Sequence, residues 1–193
     1  MGLRAYKAKR NFAQTPEPPG ETVPKPVGRD HVFVIQKHAA SRLHYDFRLE
    51  MDGVLKSWAV PKGLPLKKGE RRLAVEVEDH PLEYGNFEGT IAPGNYGAGT
   101  VMLWDRGTYV TESDPTSSLA KGKLQFTLIG KKLKGDWTLI RLKSTETDAK
   151  QNWLILKSGE DLEKKINDDK SILSGRSMAE IAGGKKNPAR RKR

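Results

Sequence analysis

Nine residues, Leu43-His44-Tyr45-Asp46-Phe47-Arg48-Leu49-Glu50-Met51, alternate apolar and polar without a break and run into Asp52-Gly53. A period of two marks a strand with one buried face, because successive side chains leave opposite sides of the pleat. Asp-Gly suits the type I′ turn of a tight hairpin, so Val54–Val60 is expected to return antiparallel. Runs of similar texture occur at Val32–Gln36, Arg72–Glu78, Thr100–Trp104, Thr108–Thr111, Lys123–Ile129, Trp137–Leu142 and Trp153–Lys157. Asp105-Arg106-Gly107 reads as a turn between two of them, and the glycine-rich stretch around residues 87–100 as a hairpin turn with bulges. Many short strands separated by turn residues predict a mainly β chain, a barrel or a sandwich.

Before and after these strands the texture changes. Residues 1–30 read as an irregular arm: a short helix fits Leu3–Arg10, but Pro16, Pro18, Pro19, Pro24 and Pro26 forbid a long one. The β core is expected over residues 31–160, a polar extension with a short helix at Met178–Ile181 over 161–182, and a disordered basic tail over 183–193. The chain's 193 residues fit a single domain. No apolar run approaches a membrane span, and Met1–Arg10 lacks the apolar stretch of a secretory signal, so a cytoplasmic, nucleoid-associated monomer without membrane contact is expected. The net charge of +11 favours a polyanionic partner, although Lys185, Lys186, Arg190, Arg191, Lys192 and Arg193 concentrate much of it in the tail.

There is no cysteine, so any metal must be held by His, Asp, Glu and water. On the Leu43–Met51 strand, Leu43, Tyr45, Phe47, Leu49 and Met51 share one face; His44, Asp46, Arg48 and Glu50 share the other. His44 and Asp46 stand about 7 Å apart along a strand and can converge on one ion. Imidazole with carboxylate suits Mn, Zn or Fe better than Ca. Arg48 can fork onto a phosphate beside that ion. A turn across Ala39-Ala40-Ser41 can fold His38 back as a third ligand, leaving coordination positions open for substrate. In Glu78-Asp79-His80-Pro81-Leu82-Glu83-Tyr84, His80 can donate a proton to a leaving oxygen and Tyr84 can bond a phosphate oxygen. Glu78 and His80 are expected on the opposite parity to Leu73, Val75 and Val77. Charged strand faces also occur without any site. Trp58, Trp104, Trp137 and Trp153 are either core residues or base-stacking platforms.

Taken in order, His38, Ser41-Arg42-Leu43-His44-Tyr45-Asp46-Phe47-Arg48-Leu49-Glu50, Ser57-Trp58-Ala59-Val60-Pro61-Lys62-Gly63, Asp79-His80-Pro81-Leu82-Glu83-Tyr84, Phe87-Glu88-Gly89-Thr90-Ile91 and Gly94-Asn95-Tyr96-Gly97-Ala98-Gly99-Thr100 resemble the 3′-phosphoesterase domain of DNA ligase D. Lys9-Arg10-Asn11-Phe12, Thr15-Pro16-Glu17-Pro18 and Asn152-Trp153-Leu154-Ile155-Leu156-Lys157 extend the similarity over about residues 3–182. The resemblance implies a compact closed β-barrel with short helices, an irregular N-terminal arm and a polar interior site. It implies manganese, or another divalent transition metal, on His38, His44 and Asp46. Arg48, His80 and Tyr84 would contact the scissile phosphate, with Glu78 and Gln36 in support. Lys62 and Arg72 would form a basic pair that assists phosphatase action, and Glu17 would reach the substrate from the arm. Asn11 stands where the family usually has Asp, and Ala92-Pro93 where it commonly has Pro-Glu.

The implied activity has two steps on primer-template DNA: release of a 3′-terminal ribonucleoside, then hydrolysis of the remaining 3′-phosphate to a 3′-OH. That product serves ligase, polymerase and Ku-type end-joining partners. The chain has no room for polymerase or ligase domains of its own, so it is read as a stand-alone form or a fragment. The competing expectations are a non-catalytic nucleic-acid-binding β-barrel and a docking module for repair proteins.

Overall fold

The structure, a computed structural model, describes residues 2–20, 31–143, 150–162 and 166–184. The expected basic tail therefore lies almost wholly outside the described residues, as does the end of the arm. Nine strands form one antiparallel sheet: β1 (His31–Ala39), β2 (Leu43–Met51), β3 (Val54–Val60), β4 (Arg71–His80), β5 (Gly89–Ile91), β6 (Gly99–Val110), β7 (Lys123–Gly130), β8 (Lys134–Arg141) and β9 (Asn152–Lys157). The order β1-β2-β3-β4-β9-β8-β7-β6 closes on itself because β1 also pairs with β6, giving an eight-stranded barrel with β5 attached to the start of β6. Closure leaves none of these eight strands as an open sheet edge. Helix α1 (Arg4–Ala8) lies in the arm, α2 (Pro115–Ala120) joins β6 to β7, and α3 (Met178–Ala182) ends the described chain. A 3₁₀ turn spans Leu82–Asn86.

Alternation sets what lies inside. Phe33 and Ile35, Phe47 and Leu49, Trp58 and Val60, Ala74, Phe126 and Leu128, Trp137 and Leu139, and Trp153 and Ile155 meet in one fully buried core. All four tryptophans belong to it, so none is free to stack on a base. The even-numbered residues of β2 must then face outward. The polar site consequently lies on the barrel's outer face, not in its interior, and is kept from water by a second layer. That layer consists of the arm and the 3₁₀ turn, whose Tyr6 and Tyr84 form a separate apolar cluster with Leu55 of β3.

Two local departures from regular pairing position side chains. Leu55 pairs with His80 but Ser57 with Val77, so Glu78 and Asp79 oppose the single residue Lys56. This bulge brings Glu78 and His80 onto the same face as Val75 and Val77, where the sequence pattern placed them on opposite ones. The second departure is in β6, which runs unbroken through Asp105-Arg106-Gly107, where a turn was expected. The fully buried Asp105 carboxylate accepts hydrogen bonds from the backbone N–H groups of Arg106 (2.9 Å), Lys131 (3.0 Å), Lys132 (3.0 Å) and Leu133 (2.8 Å). It thereby organises the β7–β8 turn. Gly107 crosses β7 so closely that a Cβ there would sit 2.0 Å from the Ile129 carbonyl oxygen. The turn-like residues are thus required by a strand crossing.

The segment 166–184 packs back onto the barrel. Lys37 and Tyr45 bond the Asp168 carboxylate, and Ile181 of α3 enters the core. Asp105→Ala would leave the buried Leu133 amide without its partner and turn those of the exposed Lys131 and half-buried Lys132 over to water; a buried unsatisfied N–H costs on the order of 1–3 kcal/mol, and the two lost bonds add less. We expect a loss of about 2–4 kcal/mol of stability, read as an earlier denaturant midpoint, with the residues of the outer face still in place.

Candidate active site

The three-residue connection Ala40-Ser41-Arg42 makes β1 and β2 a tight hairpin, and its register places His38 opposite His44, Gln36 opposite Asp46 and Val34 opposite Arg48. The two imidazole rings lie 4.8 Å apart between centroids. His38 Nδ1 is 3.4 Å from Asp46 Oδ2, and His44 Nε2 is 3.6 Å from Asp46 Oδ1. One ligand atom from each of the three residues falls within 4.8 Å of the others. The outer nitrogens are also held: His38 Nε2 lies 3.0 Å from the Gly97 carbonyl oxygen and His44 Nδ1 2.9 Å from that of Arg42. A carbonyl only accepts, so in the neutral rings these outer nitrogens carry the proton and the inner ones present lone pairs. Second contacts of this kind orient metal-binding histidines, and the donor set fits a divalent transition ion. Gly97, with φ +74°, turns its carbonyl toward His38 from the left-handed region that glycine adopts freely. Burial opposes ionisation of Asp46, but the Arg48 guanidinium beside it outweighs this and holds the carboxyl well below the usual carboxylate range.

Beside this cluster, Arg48 is buried and its guanidinium is fixed on every side. Nε donates to Gln36 Oε1 (2.9 Å), Nη1 to Ser57 Oγ (2.8 Å), and Nη2 lies 3.2 Å from Asp46 Oδ2. Gln36 spends its amide nitrogen on the carbonyls of Tyr84 (3.0 Å) and Phe87 (2.9 Å). It therefore orients Arg48 and anchors the 3₁₀ turn, and it does not line the cavity. His80 sits between two guanidiniums, with Nδ1 3.0 Å from Arg48 Nη1 and Nε2 3.3 Å from Arg10 Nη2. Its Nδ1 is also 2.9 Å from the Glu78 carbonyl, which selects the Nδ1–H form. Burial, then the charges of Arg48 and Arg10, push its pKa well below the ordinary value, so the ring is neutral in the free protein. Burial likewise keeps Tyr84 a phenol, packed edge-on against His80 at 4.7 Å.

The arm closes one side. Arg10 stacks on Tyr6 at 3.8 Å and bonds Glu17 (2.9 Å) and Glu78 (3.2 Å). Lys9 Nζ reaches Glu78 (3.0 Å) and the Tyr96 hydroxyl (3.2 Å). These groups bound a cavity of about 460 Å³ lined by Arg10, Glu17, His38, His44, Asp46, Arg48, Glu78, His80, Tyr84 and Tyr96, among others. Asn11 is exposed, and its side-chain oxygen accepts from the Ala13 amide; Lys62 and Arg72 also stand outside the lining, Arg72 being paired with Glu70 and the Lys62 carbonyl. Sequence reasoning overlooked Arg10 and Ser57. Ser57 shares the outward parity of Leu55 and Ala59 on β3, a signal the alternation contained, whereas only the fold of the arm reveals Arg10. The fourth histidine, His31, lies elsewhere, bonded to Glu50 at 2.8 Å.

Comparison with known proteins adds an independent finding. The family described as the DNA ligase D 3′-phosphoesterase domain matches residues 36–141. The multifunctional non-homologous end joining protein LigD of Pseudomonas aeruginosa is 49% identical over 98% of this chain and 23% of its own length. That of Mycolicibacterium smegmatis is 46% identical over 79% of the chain and 20% of its length, and the DNA repair protein LigD of Mycobacterium tuberculosis 50% over 72% and 18%. The chain thus spans less than a quarter of these relatives. The matched segment runs from β1 to β8 and carries both histidines, the carboxylate and the arginine of the outer-face cluster, and the chain belongs to the DNA ligase D 3′-phosphoesterase domain family.

Proposed function

We propose that this chain is a metal-dependent phosphoesterase that heals 3′ ends of primer-template DNA in end joining. It would remove a 3′-terminal ribonucleoside and then the 3′-phosphate, leaving a 3′-OH. The observation that carries the reading is the aim of three ligand atoms, each imidazole set by a backbone carbonyl, at one point beside a buried arginine. His38 Nδ1, His44 Nε2 and an Asp46 oxygen would hold the ion, with manganese our choice among divalent transition metals. When bound, such an ion polarises a phosphoryl oxygen and lowers the pKa of water.

The chain's own residues do the rest. Arg48, locked by Gln36, Ser57 and Asp46, offers fixed positive charge to a phosphoryl oxygen without reorganising as charge develops. Arg10 offers a second cation from the arm, held by Glu17 and Glu78. The Tyr84 hydroxyl is a donor for a phosphate oxygen. Burial and two facing cations keep His80 neutral in the free protein; an anionic phosphate between Arg48 and Arg10 offsets those cations and favours its protonation. It can then protonate the leaving oxygen. Lys62 and Arg72, outside the cavity, would meet the nucleic-acid strand rather than the reacting phosphate. The ligase, polymerase and Ku-type partners of end joining would act on the healed end.

Incubation with a 3′-phosphate primer-template should release phosphate with manganese and none with chelator. His44→Ala should lower release at least about 100-fold while its melting curve stays near wild type. Undiminished release in chelator would remove the metal from the reading, undiminished release by a well-folded His44→Ala protein would remove this site, and no release under any condition would leave only a nucleic-acid-binding barrel. His80→Ala should be much slower on a 3′-ribonucleoside diester, whose leaving oxygen needs a proton, and closer to wild type on a nitrophenyl ester, whose leaving group does not. Equal defects on both would assign His80 to phosphate binding alone.

A further inference from the structure

Beyond Asp46 the cavity floor becomes apolar. Ala59 pairs with Asp46 across β2 and β3, Val75 with Ala59 across β3 and β4, and Asn152 with Val75 on β9. At the ordinary strand spacing, Ala59 and Val75 stand about 5 and 10 Å from the line of β2. Val77 lies in the neighbouring row opposite Ser57, and Pro61 follows the end of β3. All four line the cavity; the alanine and both valines are half-buried and Pro61 is exposed. None offers a side-chain hydrogen bond to an ion or a phosphate. Arg10, Glu17 and Tyr84 line the cavity beside His80, whereas the exposed Arg42 and Lys150 line it where β2 and β9 begin.

Resting on the phosphoesterase reading above, we infer that this floor seats the base of the nucleotide bearing the scissile phosphate, the one the primer retains, whichever base it is. The retained strand continues into a duplex, and its phosphates pass the rim of the cavity. There Arg42 and Lys150 complement its backbone charge. The flat face of a base covers small aliphatic side chains, removing apolar surface from water. With no donor or acceptor on the floor, base edges are not read and the seat accepts all four.

The test is equilibrium binding, followed by fluorescence anisotropy in chelator so that nothing turns over. The probes are a 3′-phosphate primer-template and the same duplex with an abasic sugar at the last primer position. The wild-type chain should bind the base-bearing primer about tenfold more tightly, the effect expected when one face of a base is buried. The four bases should agree within about twofold of one another. The double variant Val75→Ser, Val77→Ser, its fold checked by thermal melting, should bring the normal and abasic primers within about twofold. The milder Val75→Thr should fall between. Equal wild-type binding to normal and abasic primers, equal weakening of both by the serine variant, or a tenfold preference for one base would overturn the inference. Phosphate release with manganese, measured in parallel, separates the two readings. Release without a base effect removes the seat and keeps the enzyme, whereas a base effect without release keeps the seat and removes the enzyme.

Discussion

A single antiparallel register fixes the chemistry of this molecule. His38 meets His44, Gln36 meets Asp46 and Val34 meets Arg48 because β1 and β2 are joined by three residues and locked by core residues of opposite parity. A slip of one residue would turn every side chain of a strand to the other face. Phe47 and Leu49 would leave the core while His44, Asp46 and Arg48 entered it. The hydrophobic pattern that closes the barrel is therefore also what gathers the ligands. Site and fold share one constraint, and neither strand can change its pairing without the loss of both.

The second requirement is charge balance in a place largely closed to water. Arg48 and Arg10 are buried, and each is held by carboxylates: Asp46 for the first, Glu17 and Glu78 for the second. Buried charges are tolerated only when paired and hydrogen-bonded, and the arm supplies Arg10 and Glu17 to this pairing. The arm is thus part of the site's electrostatics, which a reading of residues 1–30 as mere irregular chain understates. His80 senses the result: burial, together with the two cations facing it, keeps it neutral.

Much of this was legible in the sequence because period-two alternation is a local signal. The Leu43–Met51 and Val54–Val60 strands and the shared face of His44, Asp46 and Arg48 followed from it directly. What escaped was non-local. The outward position of the site depends on barrel closure by β1 and β6 and on a covering layer drawn from the arm and the Leu82–Asn86 turn. The bulge that brings Glu78 and His80 beside Val77 appears only in the pairing of β3 with β4. Asp105 and Gly107 look like a turn by composition, but their roles are to bind the amides of a distant turn and to clear a crossing strand. Gln36, expected near the substrate, has its amide committed to Arg48 and two carbonyls.

The central claim is that the hairpin register prepares one ion site from His38, His44 and Asp46, separate from the groups that meet phosphate. Calorimetric titration of the nucleic-acid-free chain with manganese tests it most directly. The account predicts one ion per chain, lost in His38→Ala, His44→Ala and Asp46→Ala and retained in His80→Ala. Absence of binding to the wild-type chain, or undiminished binding by the three ligand variants, would contradict it.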